Sequence, residues 1–215
     1  MRLLELLLPS TLETLYMVSI SILFTIIIGL PLGVLLVVTE ESNILPNKFI
    51  NTIFSWIVNI GRSVPFVILM IAVTPFTRFI VGTSIGTNAA IVPLIFASIP
   101  FFARIVESAL KELPPGIIEA AHAMGTPPIL IILKVMLPES LSQLILGTTI
   151  TVIAQIGYSA MAGIIGGGGL GDLAIRFGYQ RSQNDVLFAS VVVLICLVML
   201  IQFCGNKLSN YYNKK

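Results

Sequence analysis

Between Leu15 and Val38 the chain runs for 24 residues without a charged side chain. A helix rises 1.5 Å per residue and the hydrocarbon core of a bilayer is about 30 Å thick, so about 20 apolar residues suffice to cross it. Leu141–Ile165, with 25 uncharged residues, and Val186–Gly205, with 20, meet the same condition. Two further apolar stretches are interrupted: Phe49–Phe76 by Gly61, Arg62 and Pro65, and Gly86–Ala103 by Pro93 and Pro100. Proline is tolerated inside membrane helices because neighbouring groups re-satisfy the freed carbonyls. The reading is an all-α, polytopic membrane protein, one transmembrane domain over residues 1–215. Its five spans lie at about 15–38, 49–76, 86–103, 141–165 and 186–205. With 56% hydrophobic and 10% charged residues, against roughly 25% charged in soluble domains, the chain cannot cover a soluble surface. A soluble enzyme, a disordered chain and a disulfide scaffold are excluded. The formal net charge of +2 gives no ground for nucleic acid as a partner. Cys196 and Cys204, both in the last apolar run, read as small buried hydrophobes.

The first apolar run is too long for a signal-peptide core and follows Glu5 and Glu13, so it is expected to remain as an anchor. Leu3–Leu8, before Pro9, is expected to lie along the membrane surface. An odd number of spans puts the termini on opposite sides. With the C-terminus inside, Lys48, Arg104, Lys111, Lys134, Lys207, Lys214 and Lys215 are cytoplasmic, Arg2, Arg78, Arg176 and Arg181 are outside, and Arg62 is embedded. That bias follows the positive-inside tendency.

One connection is long. From Arg104 to Leu141 the chain carries Glu107, Lys111, Glu112, Glu119, Lys134 and Glu139, and a structureless loop of that length would be unusual. Within it, Pro114 or Pro115 should start a short helix and Gly125 should stop it, following the preference for proline in the first turn and glycine after the last. Thr126 is expected as the N-cap and Pro127 as the first residue of a second short helix, which runs to about Met136 and ends before Pro138. Ala120, Ala121 and Ala123 leave little side chain on the first helix, and Glu119 could pair with a partner's cation. On the residues alone, a docking element and a solvated connector remain equally open. His122 reads as a surface residue.

Glu119-Ala120-Ala121, then Gly125, then Leu137-Pro138 resemble the EAA motif of ABC importer permeases: EAA, three residues, G, nine residues, I-x-L-P. Val135 stands in place of the isoleucine. The resemblance implies that residues 107–140 form a cytoplasmic coupling loop whose helices dock on ATP-binding subunits, with Glu119, Ala120, Ala121, Ala123, Met124 and Gly125 as the ATPase-coupling residues. Arg62-Ser63-Val64-Pro65-Phe66, Pro75-Phe76-Thr77-Arg78, Val81-Gly82-Thr83-Ser84-Ile85-Gly86 and Gly157-Tyr158-Ser159-Ala160-Met161 look like the methionine-type permeases of that family.

Gly166-Gly167-Gly168-Gly169-Leu170-Gly171 satisfies G-x-G-x-x-G but follows a span and lacks the acidic residue of a dinucleotide site. It reads as a break where span four leaves the membrane, and the chain has no P-loop. Arg62 is the one charge placed within a span, at a cost of roughly 3 kcal/mol on insertion scales. It is expected either in a structural pairing or near the interface. Arg62, Gly157, Tyr158 and Met161 are the candidate structural or pathway residues. Gly29 with Gly33, and Gly163 with Gly167, have the spacing of close helix packing. No nucleophile, metal-ligand set or intramembrane carboxylate is evident, and no cofactor is expected.

The resemblance implies a transport subunit without its own catalytic site, in the bacterial cytoplasmic (inner) membrane. Its implied partners are a second copy of the chain, two ABC ATPase subunits and an extracytoplasmic substrate-binding protein, for which Arg78, Asp172, Arg176 and Arg181 are candidate contacts. The alternatives are a permease for another amino acid or small polar solute, and a passive channel or ion-coupled carrier. The carrier would lack the buried carboxylate or histidine relay such proteins need.

Overall fold

The computed structural model describes residues 2–213, so Lys214 and Lys215 lie outside the described residues. The fold is all-α: α1 (Arg2–Val38), α2 (Lys48–Ser63), α3 (Phe66–Val81), α4 (Thr87–Lys111), α5 (Pro115–Ala123), α6 (Pro128–Ile131), α7 (Leu137–Glu139), α8 (Leu141–Ala162), α9 (Gly169–Leu173) and α10 (Asn184–Tyr212). π-helical Ile132–Met136 joins α6 to α7, and π-helical Ala174–Tyr179 follows α9. Among the described residues four helices are long and apolar enough to cross a bilayer, and the bent pair α2–α3 makes a fifth element.

The middle of the bundle is α4, packed against α1, α2, α3 and α8. Glycines on three of those neighbours let it approach. A Cβ on Gly33 of α1 would lie 2.5 Å from the Val106 Cβ and 2.6 Å from the Ala103 carbonyl oxygen, and one on Gly29 would lie 3.0 Å from the Phe102 ring. On the other sides, Gly147 of α8 admits Ile105 at 2.2 Å and Gly61 of α2 admits Pro100 at 2.9 Å. The Gly29/Gly33 spacing therefore marks close helix packing, as the sequence suggested. Lipid tails are as apolar as leucine, so such tight backbone contact is what drives helices together in a membrane.

Several expected boundaries change. The first helix is continuous from Arg2 with Pro9 and Pro31 inside it, so Leu3–Leu8 is no separate surface segment. Its 37 residues span about 55 Å, more than the hydrocarbon core, which requires tilt or protrusion. Span two is broken: α2 and α3 diverge by 110° at Ser63-Val64-Pro65. Val64 is extended (φ −87°, ψ 123°), as the residue before proline prefers, and the helix cannot pass through it. Helix α4 continues to Lys111, taking Arg104, Glu107 and Lys111 out of the supposed loop. Carboxylates therefore do sit on long apolar helices: Glu13 on α1 and a buried Glu107 on α4. Cys196 and Cys204 are exposed on α10, not buried.

Residues after span four fold back instead of forming a loop. Gly166, Gly168 and Gly169 all take φ +77°, a region closed to most side chains. The N–H groups at the start of α9 are capped from α1: Gly169 N–H donates to Glu13 Oε2 at 2.7 Å and Leu170 N–H to Thr14 Oγ1 at 2.9 Å. Gly163 and Gly171 let α9 lie against the end of α8, where a Cβ on Gly171 would sit 2.3 Å from the Ala160 Cα.

Gly33→Leu should overpack the α1–α4 contact by about 1–3 kcal/mol, which lowers the thermal midpoint of the detergent-solubilised protein by several degrees. Gly116→Ala, in α5 with nothing within 4 Å of the added carbon, should leave it unchanged in the same thermal-shift measurement.

Candidate functional site

The segment from Pro114 to Ser140 builds a helix–turn–helix at one end of the bundle. Pro114 and Pro115 open α5 and supply the fixed φ of a first turn. Its C-terminus closes in a six-residue glycine turn: Gly125 N–H donates to the His122 carbonyl at 2.9 Å and Thr126 N–H to the Ala121 carbonyl at 3.2 Å. Those two bonds, with Gly125 at φ +73°, are a Schellman motif. Gly125 thus occupies the position expected of it, and its conformation is one that only glycine adopts at little cost.

Thr126 does not cap the next helix, because that helix starts one residue later than expected and its N-cap position falls on Pro127, with no side-chain cap. Pro127 precedes that helix and Pro128 is its first residue. Nor does the helix stop before Pro138, since α6, the π-turn and α7 run on to Glu139. Ser140 then turns the chain into α8, its hydroxyl donating to the Met136 carbonyl at 2.8 Å.

The three alanines divide between two faces. Ala121 is buried in the protein's own core with Val106, Leu110, Ile131 and Met136, which corrects its assignment to a partner-facing surface. Ala120, Ala123 and Gly125 are exposed, and Met124 is 78% exposed at the tip of the turn. Glu119 and His122 line a cavity of about 510 Å³ beneath α5, walled by the end of α4 and the Ser42–Pro46 turn. Charges fix this end of the bundle. Lys111 Nζ lies 3.1 Å from both Glu40 and Glu107. Glu107 also pairs with Arg104, whose Nη2 donates to Asn59 Oδ1 at 2.8 Å. Helices α1, α2 and α4 are thereby tied together beneath the helix–turn–helix.

A second cluster forms where α2 and α3 bend. Arg62 and Tyr158 meet in a cavity of about 280 Å³ with Gly61, Val64, Phe66, Ala97 and Phe101. Phe66 and Tyr158 stack at 4.7 Å and 13°. Gly157 and Met161 are exposed nearby but do not line it. Neither Phe66 nor Phe101 was among the candidate site residues read from the sequence. The available signal was Pro65, whose break brings Phe66 back towards Arg62.

The four residues proposed for an outer contact are not equivalent. Asp172 is buried and pairs with Arg176 at 2.7 Å, so it offers no free carboxylate. Arg176 and Arg181 flank the Phe177 ring at 5.3 and 4.5 Å. Arg78 Nη2 approaches the Ser84 hydroxyl at 3.4 Å. Gly86 N–H donates to the Gly166 carbonyl at 3.0 Å, which joins the segment after α3 to the glycine run. Among the described residues no group of His, Cys, Asp or Glu is placed to hold a metal ion.

The profile of the inner membrane component of binding-protein-dependent transport systems matches residues 26–215, almost the whole chain. The chain belongs to that family. It is 50% identical over 214 residues to the probable D-methionine transport system permease protein MetI of Pasteurella multocida, covering all of this chain and 99% of the relative. The methionine import system permease protein MetP of Bacillus subtilis is 48% identical over 206 residues, covering 96% of this chain and 93% of that protein. Among solved structures, the inward-facing MetNI methionine ABC transporter superposes with a TM-score of 0.96 at 48% identity, covering 98% of both chains. In this family member the helix–turn–helix carries the EAA-type residues read from the sequence, with Met124 outward, Ala121 inward and Glu119 exposed at the edge of the cavity beneath α5.

Gly125→Val should open the Schellman turn at a cost of at least about 1–2 kcal/mol, whereas Gly125→Asn should be tolerated. Limited proteolysis of the purified chain should show faster cleavage between Glu112 and Pro128 in the valine variant alone, with the membrane helices equally protected in both.

Proposed function

We propose that this chain is the permease subunit of an ATP-driven importer that takes up methionine by alternating access. Two copies form the path, two ABC ATPase subunits dock at the α5 turns, and an extracytoplasmic binding protein delivers substrate at the opposite end. The N-terminus lies outside and the C-terminus in the cytoplasm, in keeping with the distribution of lysine and arginine. The observation that carries this reading is the helix–turn–helix itself. Its glycine-closed turn projects Ala120 and Met124 away from the bundle, while Ala121 anchors it to the core built on α4. A rigid projection on the central helix can transmit a push from an attached subunit, and a solvated connector has no need of such anchoring. The near full-length likeness to methionine permeases supports the substrate. ATP hydrolysis belongs to the partner subunits, which leaves this chain the work of moving solute.

Membranes carrying Glu119→Ala should hold normal amounts of permease but take up labelled methionine several-fold more slowly. Gly125→Val should abolish both uptake and co-purification of the ATPase. Membrane abundance, ATPase pull-down and uptake are measured on the same cells. Full uptake and full pull-down with Gly125→Val would refute the coupling role.

A further inference from the structure

Arg62 lacks the structural pairing that was one of the two expectations for it. Among the described residues it makes no ion pair, hydrogen bond or ring contact, and it is exposed within the chain. Arg62 lies 14 residues beyond Lys48, where α2 begins, which is about 21 Å along the helix. Its neighbour Gly61 packs on Pro100, eleven residues or about 16 Å before the end of α4 at Lys111. Arg62 thus sits about one turn beyond Asn59, which Arg104 contacts from α4, on the far side of that contact from the charged helix ends. The C-terminal end of α2 offers it only partial negative charge. A full cation there, facing neither a carboxylate nor its own core, belongs to a water-filled path.

Its surroundings have a definite chemistry. The 280 Å³ cavity it lines is otherwise walled by the stacked Phe66–Tyr158 pair, Phe101, Val64 and Ala97. That volume falls just under the roughly 300–1,000 Å³ of drug-sized clefts and suits one small amino acid. The guanidinium fork matches a carboxylate through two parallel hydrogen bonds. Aromatic faces and edges suit an apolar or thioether side chain. No acidic residue lines the cavity, so an ammonium group meets no counter-ion there.

We infer that this cavity is a transit site for the transported amino acid, in which Arg62 holds the α-carboxylate and the Phe66–Tyr158 stack carries the side chain. The inference rests on the methionine-importer reading and adds a binding site to it. One ion pair shared with water, and no counter-ion for the amine, makes the site weak, as a step that must release its cargo requires. Selection follows the carboxylate: a deaminated analogue, 4-(methylthio)butanoate, competes for the site, and methioninol, which has the amine but no carboxylate, does not.

The test uses the assembled permease–ATPase complex in lipid nanodiscs without binding protein, labelled with a diazirine analogue of methionine and mapped by mass spectrometry. The label is expected on peptides containing Phe66, Phe101 or Tyr158. It should fall at least tenfold in Arg62→Gln purified as the intact complex, and be partly retained in Arg62→Lys. Excess 4-(methylthio)butanoate should suppress it, and methioninol should not. Labelling of the cavity that Arg62→Gln leaves unchanged would overturn the proposal. So would equal suppression by methioninol, or a lipid phosphate found cross-linked there in place of the analogue. Uptake of labelled methionine by the wild-type complex, reconstituted in proteoliposomes with its binding protein, is measured in parallel. Uptake without labelling of the cavity overturns this site alone, whereas absence of uptake overturns the importer reading and the site with it.

Discussion

The structure depends on the close approach of α1 and α4. At Gly33 the two backbones are so near that a single added carbon would meet Val106 and the Ala103 carbonyl at about 2.5 Å. In water, burial of apolar surface would hold such helices together. In lipid it contributes little, and packing of backbone against backbone takes over. Three of the helices around α4 give up a side chain to admit it, at Gly33, Gly61 and Gly147. The central helix is thereby fixed, and whatever is attached to its end is fixed with it.

What is attached is the helix–turn–helix. Ala121 packs with Val106 and Leu110 of α4, and Lys111 is gripped between Glu40 and Glu107. Helix α5 is therefore packed onto α4, which in turn contacts α1, α2, α3 and α8. Helix α4 also contributes Ala97 and Phe101 to the wall of the Arg62 cavity. The surface that would meet an ATPase and the cavity that would meet the solute thus share one rigid element. Alternating access requires such a connection, because only a change that both sites sense can couple hydrolysis to passage.

Much of this was legible in the sequence, for physical reasons. Long uncharged runs have few alternatives to a membrane helix, and Pro115 with Gly125 defines the limits of α5 because each residue has a narrow conformational preference. What was missed depended on tertiary context. Thr126 looked like a cap, but closing the glycine turn shifts the helix start by one residue, to Pro128, and puts Pro127 in the cap position. Ala121 could not be told from Ala120, since alanine is equally at home against a core or against a partner. Asp172 and Arg176 were both expected as outer contacts, whereas α9 folds back with its first N–H groups donating to Glu13 and Thr14, and Asp172 is buried against Arg176. Phe66 joined Tyr158 only through the 110° bend at Pro65, and a bend angle cannot be read from composition.

The central claim is that the α5 turn is the contact through which an ATPase subunit acts on the membrane helices. It is tested most directly by proximity. A single cysteine at Met124, in a chain whose Cys196 and Cys204 are replaced by serine, is treated with a short bifunctional cross-linker in native membranes. A second variant carries its cysteine at Ile85, in the exposed segment before α4 at the opposite end of that helix. The account predicts that the Met124→Cys permease is captured with the ATPase subunit and the Ile85→Cys permease is not. Capture from Ile85 but not from Met124 would contradict it.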